Sequence, residues 1–137
     1  MSDVLDELIG MSRTLGDSAH DYAILGEGNT SARAEGETFW VKASGTQLGR
    51  ADRESFVRVD APPILAALDG RPLDDAAVKD LLKTATVQGA RASSIETFLH
   101  ALCLRLDGVR FVGHTHPTAA LALLCGRGSR ELFSGCL

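Results

Sequence analysis

Thr30-Ser31-Ala32-Arg33-Ala34-Glu35-Gly36-Glu37-Thr38-Phe39-Trp40-Val41-Lys42-Ala43 is the stretch that decides the fold. Thr30–Ala34 and Thr38–Ala43 read as two short strands, and Glu35-Gly36 between them is a tight-turn dipeptide. Strands this close in sequence pair antiparallel, because a parallel partner needs a crossover of roughly a dozen residues or more. The sheet therefore begins as a hairpin and not as a βαβ unit.

Upstream, Val4, Leu5, Leu8, Ile9, Met11, Ser12 and Leu15 recur at helical spacing, and Gly16 supplies a stop. Tyr22–Leu25 is a short apolar segment that ends in Gly26-Glu27-Gly28-Asn29, a turn with positive φ available. Downstream, Ser44-Gly45-Thr46 is a second turn, and Phe56–Val59 alternates as a strand. From Pro62 the period changes: Ile64, Leu65 and Leu68 suit a short helix, Gly70-Arg71-Pro72 breaks the chain, and Val78, Leu81 and Leu82 suit another helix. Ser93 or Ser94 is placed to cap a helix running to about Leu106, with Phe98, Leu99, Leu102 and Leu106 on its buried side. Gly108 ends it, Val109–Thr115 reads as a strand, and Pro117 opens a helix through Leu124. The expectation is an α/β sandwich with a mainly antiparallel sheet, in a single domain over residues 1–137.

The totals agree with one compact domain. The chain has 137 residues, 45% apolar and 23% charged, enough to build a core and unlike a disordered chain. The net charge of −4 argues against a broad nucleic-acid or anionic-membrane surface, which needs clustered Lys and Arg. Cys103, Cys125 and Cys136 are odd in number and lack CxxC spacing, so free thiols in a reducing cytoplasm are expected. Met1–Gly10 has no basic n-region, and the uncharged run Phe111–Gly126 is too short and too polar to span a bilayer.

The sharpest chemical feature is His114-Thr115-His116. Residues i and i+2 on a strand share a face, so both imidazoles can converge on one ion. Zinc takes nitrogen and oxygen ligands, and catalytic sites often combine three protein ligands with an open position. The preceding helix offers Glu96 and His100 at i and i+4. Glu96 lies among Ile95, Phe98 and Leu99, where a carboxylate needs a partner, and a cation is one. His100 reads as a structural histidine donating to a backbone carbonyl, and His20 as a surface residue. Two His and a carboxylate suit Zn²⁺, while Mn²⁺ or Co²⁺ would also fit. The turns Gly28-Asn29-Thr30-Ser31 and Ser44-Gly45-Thr46, with Ser94 at a helix start and Lys42 for charge, are of the kind that bind phosphate or carboxylate groups.

Gly26-Glu27-Gly28-Asn29-Thr30-Ser31, Trp40-Val41-Lys42-Ala43-Ser44-Gly45, Ser94-Ile95-Glu96-Thr97-Phe98-Leu99-His100 and Val112-Gly113-His114-Thr115-His116-Pro117 together resemble the successive motifs of the class II aldolase/adducin family. The resemblance implies a three-layer α/β/α sandwich, often a homotetramer, acting on a small sugar or sugar phosphate. It implies retro-aldol cleavage through a metal-stabilised enediolate, with zinc on three histidines, two of them matching His114 and His116. It implies Glu96 as the catalytic acid/base and a ligand when substrate is absent, and phosphate held at Gly28, Asn29, Ser44, Gly45 and Ser94. The family's Ser-Ser pair before the Glu is Ser94-Ile95 here. Its third His and a C-terminal Tyr have no counterpart before Leu137, so the expectation is a domain incomplete at its C-terminus with weak or no activity alone. A non-catalytic adducin-like or inactive truncated module is the alternative.

Overall fold

The computed structural model describes residues 3–134. Helix α1 (Val4–Leu15) starts where the Asp3 carboxylate accepts from the Leu5 amide at 3.3 Å, and it ends at Gly16. Its stripe of Leu5, Leu8, Ile9 and Ser12 is buried, as the spacing requires. Strands β1 (Asn29–Arg33) and β2 (Thr38–Lys42) form the expected hairpin, with Ala32 opposite Trp40. β3 (Phe56–Asp60) pairs antiparallel with β2. Helix α2 (Ala61–Leu68) carries proline in its first turn, where the missing N–H costs nothing. Helix α3 (Asp75–Ala85) is capped by Asp74, whose side chain accepts from Ala77 N at 2.8 Å.

Strand β4 (Thr86–Gln88) then extends the sheet beyond β3. Helix α4 (Thr97–Leu104) carries the chain to the opposite edge, where β5 (Phe111–His114) pairs antiparallel with β1. The resulting five-stranded sheet has the order β4-β3-β2-β1-β5, and every pairing is antiparallel. Helices α5 (Thr118–Leu124) and α6 (Ser129–Phe133) follow.

Strand alternation makes the layers. Phe39, Val41, Val57 and Val59 face Ile64, Leu82, Ala85, Ala101 and Leu104 of α2, α3 and α4. Ala32 and Phe56, with the partly buried Trp40 and Phe111, face Leu5, Leu8 and Ile9 of α1. The architecture is the expected α/β/α arrangement around an antiparallel sheet.

Three local expectations differ. Helix α4 begins at Thr97, so neither Ser93 nor Ser94 caps it; the residue at its N-cap position is Glu96, with no side-chain cap bond. Its buried face is Thr97, His100, Ala101 and Leu104, while Leu99 is 48% and Leu102 47% exposed and Leu106 is exposed as well. The reason lies beneath the helix: β1 presents the Ser31 hydroxyl, which meets His100 Nδ1 at 2.6 Å, so polar groups turn inward. Finally, β5 ends at His114, and His116 lies just beyond the strand. Cys103 and Cys125 are free, and the thiol expected at Cys136 lies outside the described residues. Among the described residues, no helix is long and apolar enough to cross a membrane.

Candidate metal centre

The topology brings three distant segments to one end of the sheet. Asn29 opens β1 and pairs with His114 at the end of β5. Ala43 bridges to Ser93, and Ser44 N donates to Ala92 O at 2.9 Å, which sets the 44–46 turn beside the approach to α4. Glu96 enters from that approach. Its Oε1 lies 3.4 Å from His114 Nδ1, and its Oε2 accepts from Asn29 Nδ2 at 2.8 Å. Asn29 Nδ2 also donates to Ser94 Oγ at 3.2 Å, so one buried amide holds two of the expected site residues.

The two imidazoles face each other. His114 Nε2 and His116 Nε2 are 3.0 Å apart, with ring centroids at 4.7 Å. Glu96, His114 and His116 each offer one ligand atom such that all lie within 4.8 Å of one another. Two nitrogens bound tetrahedrally to one zinc at about 2.0–2.1 Å would stand about 3.3 Å apart, close to the spacing here. With a proton on either Nε2 the two rings hydrogen-bond to each other; with both protons on Nδ1 the two Nε2 lone pairs oppose each other, and a shared cation would relieve that repulsion. Buried Asn29 Oδ1, Thr97 Oγ1, His100 Nε2 and His114 Nδ1 lack hydrogen-bond partners and all surround this end of the sheet. A buried polar atom left so costs about 1–3 kcal/mol, and a bound water or ion, or a catalytic role, is the usual reason for one. The donor set and its surroundings fit a divalent metal.

His100 is fully buried. Burial pushes its pKa down to about 4, with His114 and Lys42 acting in the same direction and Glu96 opposing. It is therefore a neutral structural group at pH 7, and its partner is the Ser31 hydroxyl where a backbone carbonyl was expected. His20 is exposed and stacks on Tyr22.

The turns divide between structure and site. Thr30 Oγ1 meets Ser12 Oγ of α1 at 2.7 Å, so the Thr30 and Ser31 hydroxyls brace the fold and leave Asn29 facing Glu96. Gly28 has φ +77, and a Cβ there would meet His114 O at 2.9 Å and Leu48 Cδ1 at 2.9 Å, so only glycine fits against the candidate ligand's own backbone. Gly45, also at φ +77, has open space in front of it. Lys42 is 3% exposed, and its ammonium donates to Thr46 O at 2.8 Å and Gly26 O at 3.4 Å, tying the two turns together. Burial lowers its pKa, and the Glu96 carboxylate pulls the other way. One neighbour escaped the sequence reading: Glu27 Oε2 lies 3.6 Å from His116 Nδ1. The only hint was an acidic residue lodged between two turn glycines.

Comparison with known proteins gives the family and the fold. The family model described as Class II Aldolase and Adducin N-terminal domain matches residues 6–133. The chain is similar to the N-terminal class II aldolase domain of a conserved protein from Thermoplasma acidophilum, with 34% identity and a TM-score of 0.76 over 92% of this chain and 60% of that one. It shares the fold of L-fuculose-1-phosphate aldolase from Thermus thermophilus, at 24% identity and TM-score 0.56 over 85% of this chain and 49% of that one. It is 27% identical to "Uncharacterized oxidoreductase YuxG" of Bacillus subtilis (strain 168), over 93% of this chain and 19% of that protein. The chain thus spans under two thirds of each of these relatives.

Proposed function

Because the chain belongs to the Class II Aldolase and Adducin N-terminal domain family, we propose that it carries most of a divalent-metal centre for aldehyde-lyase chemistry on a small sugar or sugar phosphate. The observation that carries this reading is the pair of facing Nε2 atoms, 3.0 Å apart, with the Glu96 carboxylate in reach of the same point. His114 and His116 would hold the ion, Zn²⁺ by preference, with Mn²⁺ or Co²⁺ as substitutes, and Glu96 would complete the set when substrate is absent. When bound, the metal supplies Lewis acidity to the carbonyl of a ketose undergoing retro-aldol cleavage.

The chain's own residues do the rest. Asn29 Nδ2 holds Glu96 Oε2, which leaves Oε1 to carry a proton to and from substrate carbon. Gly28, Asn29, Gly45 and the hydroxyls of Ser44 and Ser94 would receive a phosphate or carboxylate, with Asn29 Nδ2 anchoring Ser94 and the Ser44 N–H already held by Ala92 O. Lys42, buried behind the two turns, adds positive charge without being the direct contact. The reading includes a cytoplasmic homo-oligomer, a tetramer by family resemblance. Support for assembly comes from the exposure of Leu99 and Leu102 on α4 and of Ile95 and Leu106 beside it.

The test is metal analysis of the purified protein, followed by substitution. Near-stoichiometric zinc that is lost in H114A and H116A is expected. In a full-length version, E96Q should keep the metal while retro-aldol turnover falls by about 10²–10⁴-fold. A protein that retains no divalent metal would turn the assignment toward a non-catalytic adducin-like module.

A further inference from the structure

His116 stands outside the β-ladder, so the sheet does not orient its ring. The segment from Asp21 to Gly28 does. His116 N donates to Tyr22 O at 2.8 Å, and Thr118 N donates to Asp21 O at 3.3 Å. Glu27 N is itself fixed by Ile24 O at 3.0 Å, in a turn that points its carboxylate toward His116 Nδ1, 3.6 Å away. The neighbouring ring has the same arrangement, with Glu96 Oε1 at 3.4 Å from His114 Nδ1. Each Nδ1 thus has a carboxylate oxygen 3.4–3.6 Å away, Glu96 at His114 being the one proposed as ligand and acid/base, and the two Nε2 atoms stand 3.0 Å apart.

We propose that Glu27 is a positioning residue for His116: its carboxylate takes the Nδ1–H and so leaves the Nε2 lone pair facing His114. This rests on the metal-centre reading. The two ring nitrogens of a histidine are distinguished by the hydrogen bond that one of them makes. Metal-binding histidines almost always donate their second N–H to a carboxylate, carbonyl or water, and losing that partner typically weakens metal binding about 10–100-fold. Stability is not what the contact supplies. The Glu27 side chain is 53% exposed, and a pair this solvated contributes little to folding. Its exposure also leaves the side chain free to close the last few tenths of an ångström onto the ring. An Nε2–H on His116 would donate to His114 Nε2 and leave Glu27 unpaired, whereas Nδ1–H on His116 satisfies the carboxylate and leaves its Nε2 to accept from His114 or to bind a cation, so the carboxylate favours the form that can bind one.

Two readouts test this. In ¹⁵N-labelled, chelator-treated protein at pH 8, long-range ¹H–¹⁵N correlation reports which His116 nitrogen carries the proton. Wild type should show Nδ1–H, E27A should shift toward Nε2–H, and E27Q should stay near wild type because its amide carbonyl still accepts. In competition with a chromophoric chelator, E27A should bind zinc about 10–100-fold more weakly and E27Q should recover most of that loss. Metal-free E27A should melt as wild type does. An unchanged tautomer in E27A, equal zinc losses in E27A and E27Q, or a large drop in metal-free melting temperature would each overturn the proposal. If wild type takes up no zinc, the metal-centre reading fails, and the tautomer measurement still decides the role of Glu27.

Discussion

Replacing Gly28 by alanine should damage the protein in two separable ways. At φ +77 any L-residue carries a backbone penalty of about 1–2 kcal/mol. Gly45 shares that angle but faces open space, so G45A carries the penalty alone. In G28A the new methyl would also sit 2.9 Å from His114 O and 2.9 Å from Leu48 Cδ1. Leu48 can rotate away; the His114 carbonyl belongs to the β1–β5 ladder and must move as backbone. Overpacking of this kind typically adds about 1–3 kcal/mol. The expected loss is therefore about 1–2 kcal/mol for G45A and about 2–5 kcal/mol for G28A. Urea unfolding followed through the single tryptophan, Trp40, which packs on the α1 side of the sheet, measures both. Since the displaced carbonyl belongs to a candidate ligand, zinc affinity should fall in G28A and hold in G45A. Equal destabilisation of the two variants, or unaltered zinc binding by G28A, would refute the close-contact argument.

Two further outcomes follow from the buried polar groups. His100 titrates at about 4 in the fold and near 6.5 when unfolded, so the unfolded chain binds the extra proton. Its contribution is complete above pH 6.5 and is lost as pH falls toward 4, by about 3 kcal/mol, so the pH slope of stability in chelator-treated wild type should exceed that of H100Q across this window. N29D replaces the amide that donates to Glu96 Oε2 at 2.8 Å with a second carboxylate. It should cost about 1–3 kcal/mol at pH 7, and the gap to wild type should narrow by pH 5 as one carboxyl takes a proton; a constant gap in urea unfolding would contradict the contact.

The hairpin, α1 and the strand bearing His114 were legible because their periodicity and turn residues act locally. The buried face of α4 was not. Leucines at 99, 102 and 106 outvote Thr97 and His100 on any hydrophobicity count, yet the helix lies over a strand whose Ser31 and Asn29 are polar. Only the tertiary partner reveals that polar residues belong inside. Strand β4 escaped notice for another reason: three residues directly after a helix carry no alternation to read, and β3 alone defines them. The site motifs were readable as clusters, but their wiring was not. Nothing in Thr30 and Ser31 announces that they brace α1 and His100 while Asn29 alone turns to Glu96. Glu27 looked like an ordinary turn residue until its distance to His116 was known.

Strand β5 has a sheet neighbour on one side only among the described residues, and His114 is its last residue. Peripheral ladders open with far less free energy than whole-domain unfolding requires. Peeling Asn29–Ala32 from Phe111–His114 would carry one imidazole away from the other while α2, α3 and the β2–β3 pairing stay in place. If an ion binds here as proposed, its exchange half-life should track amide protection in β5 and be insensitive to substitutions in the Phe39–Val59 core.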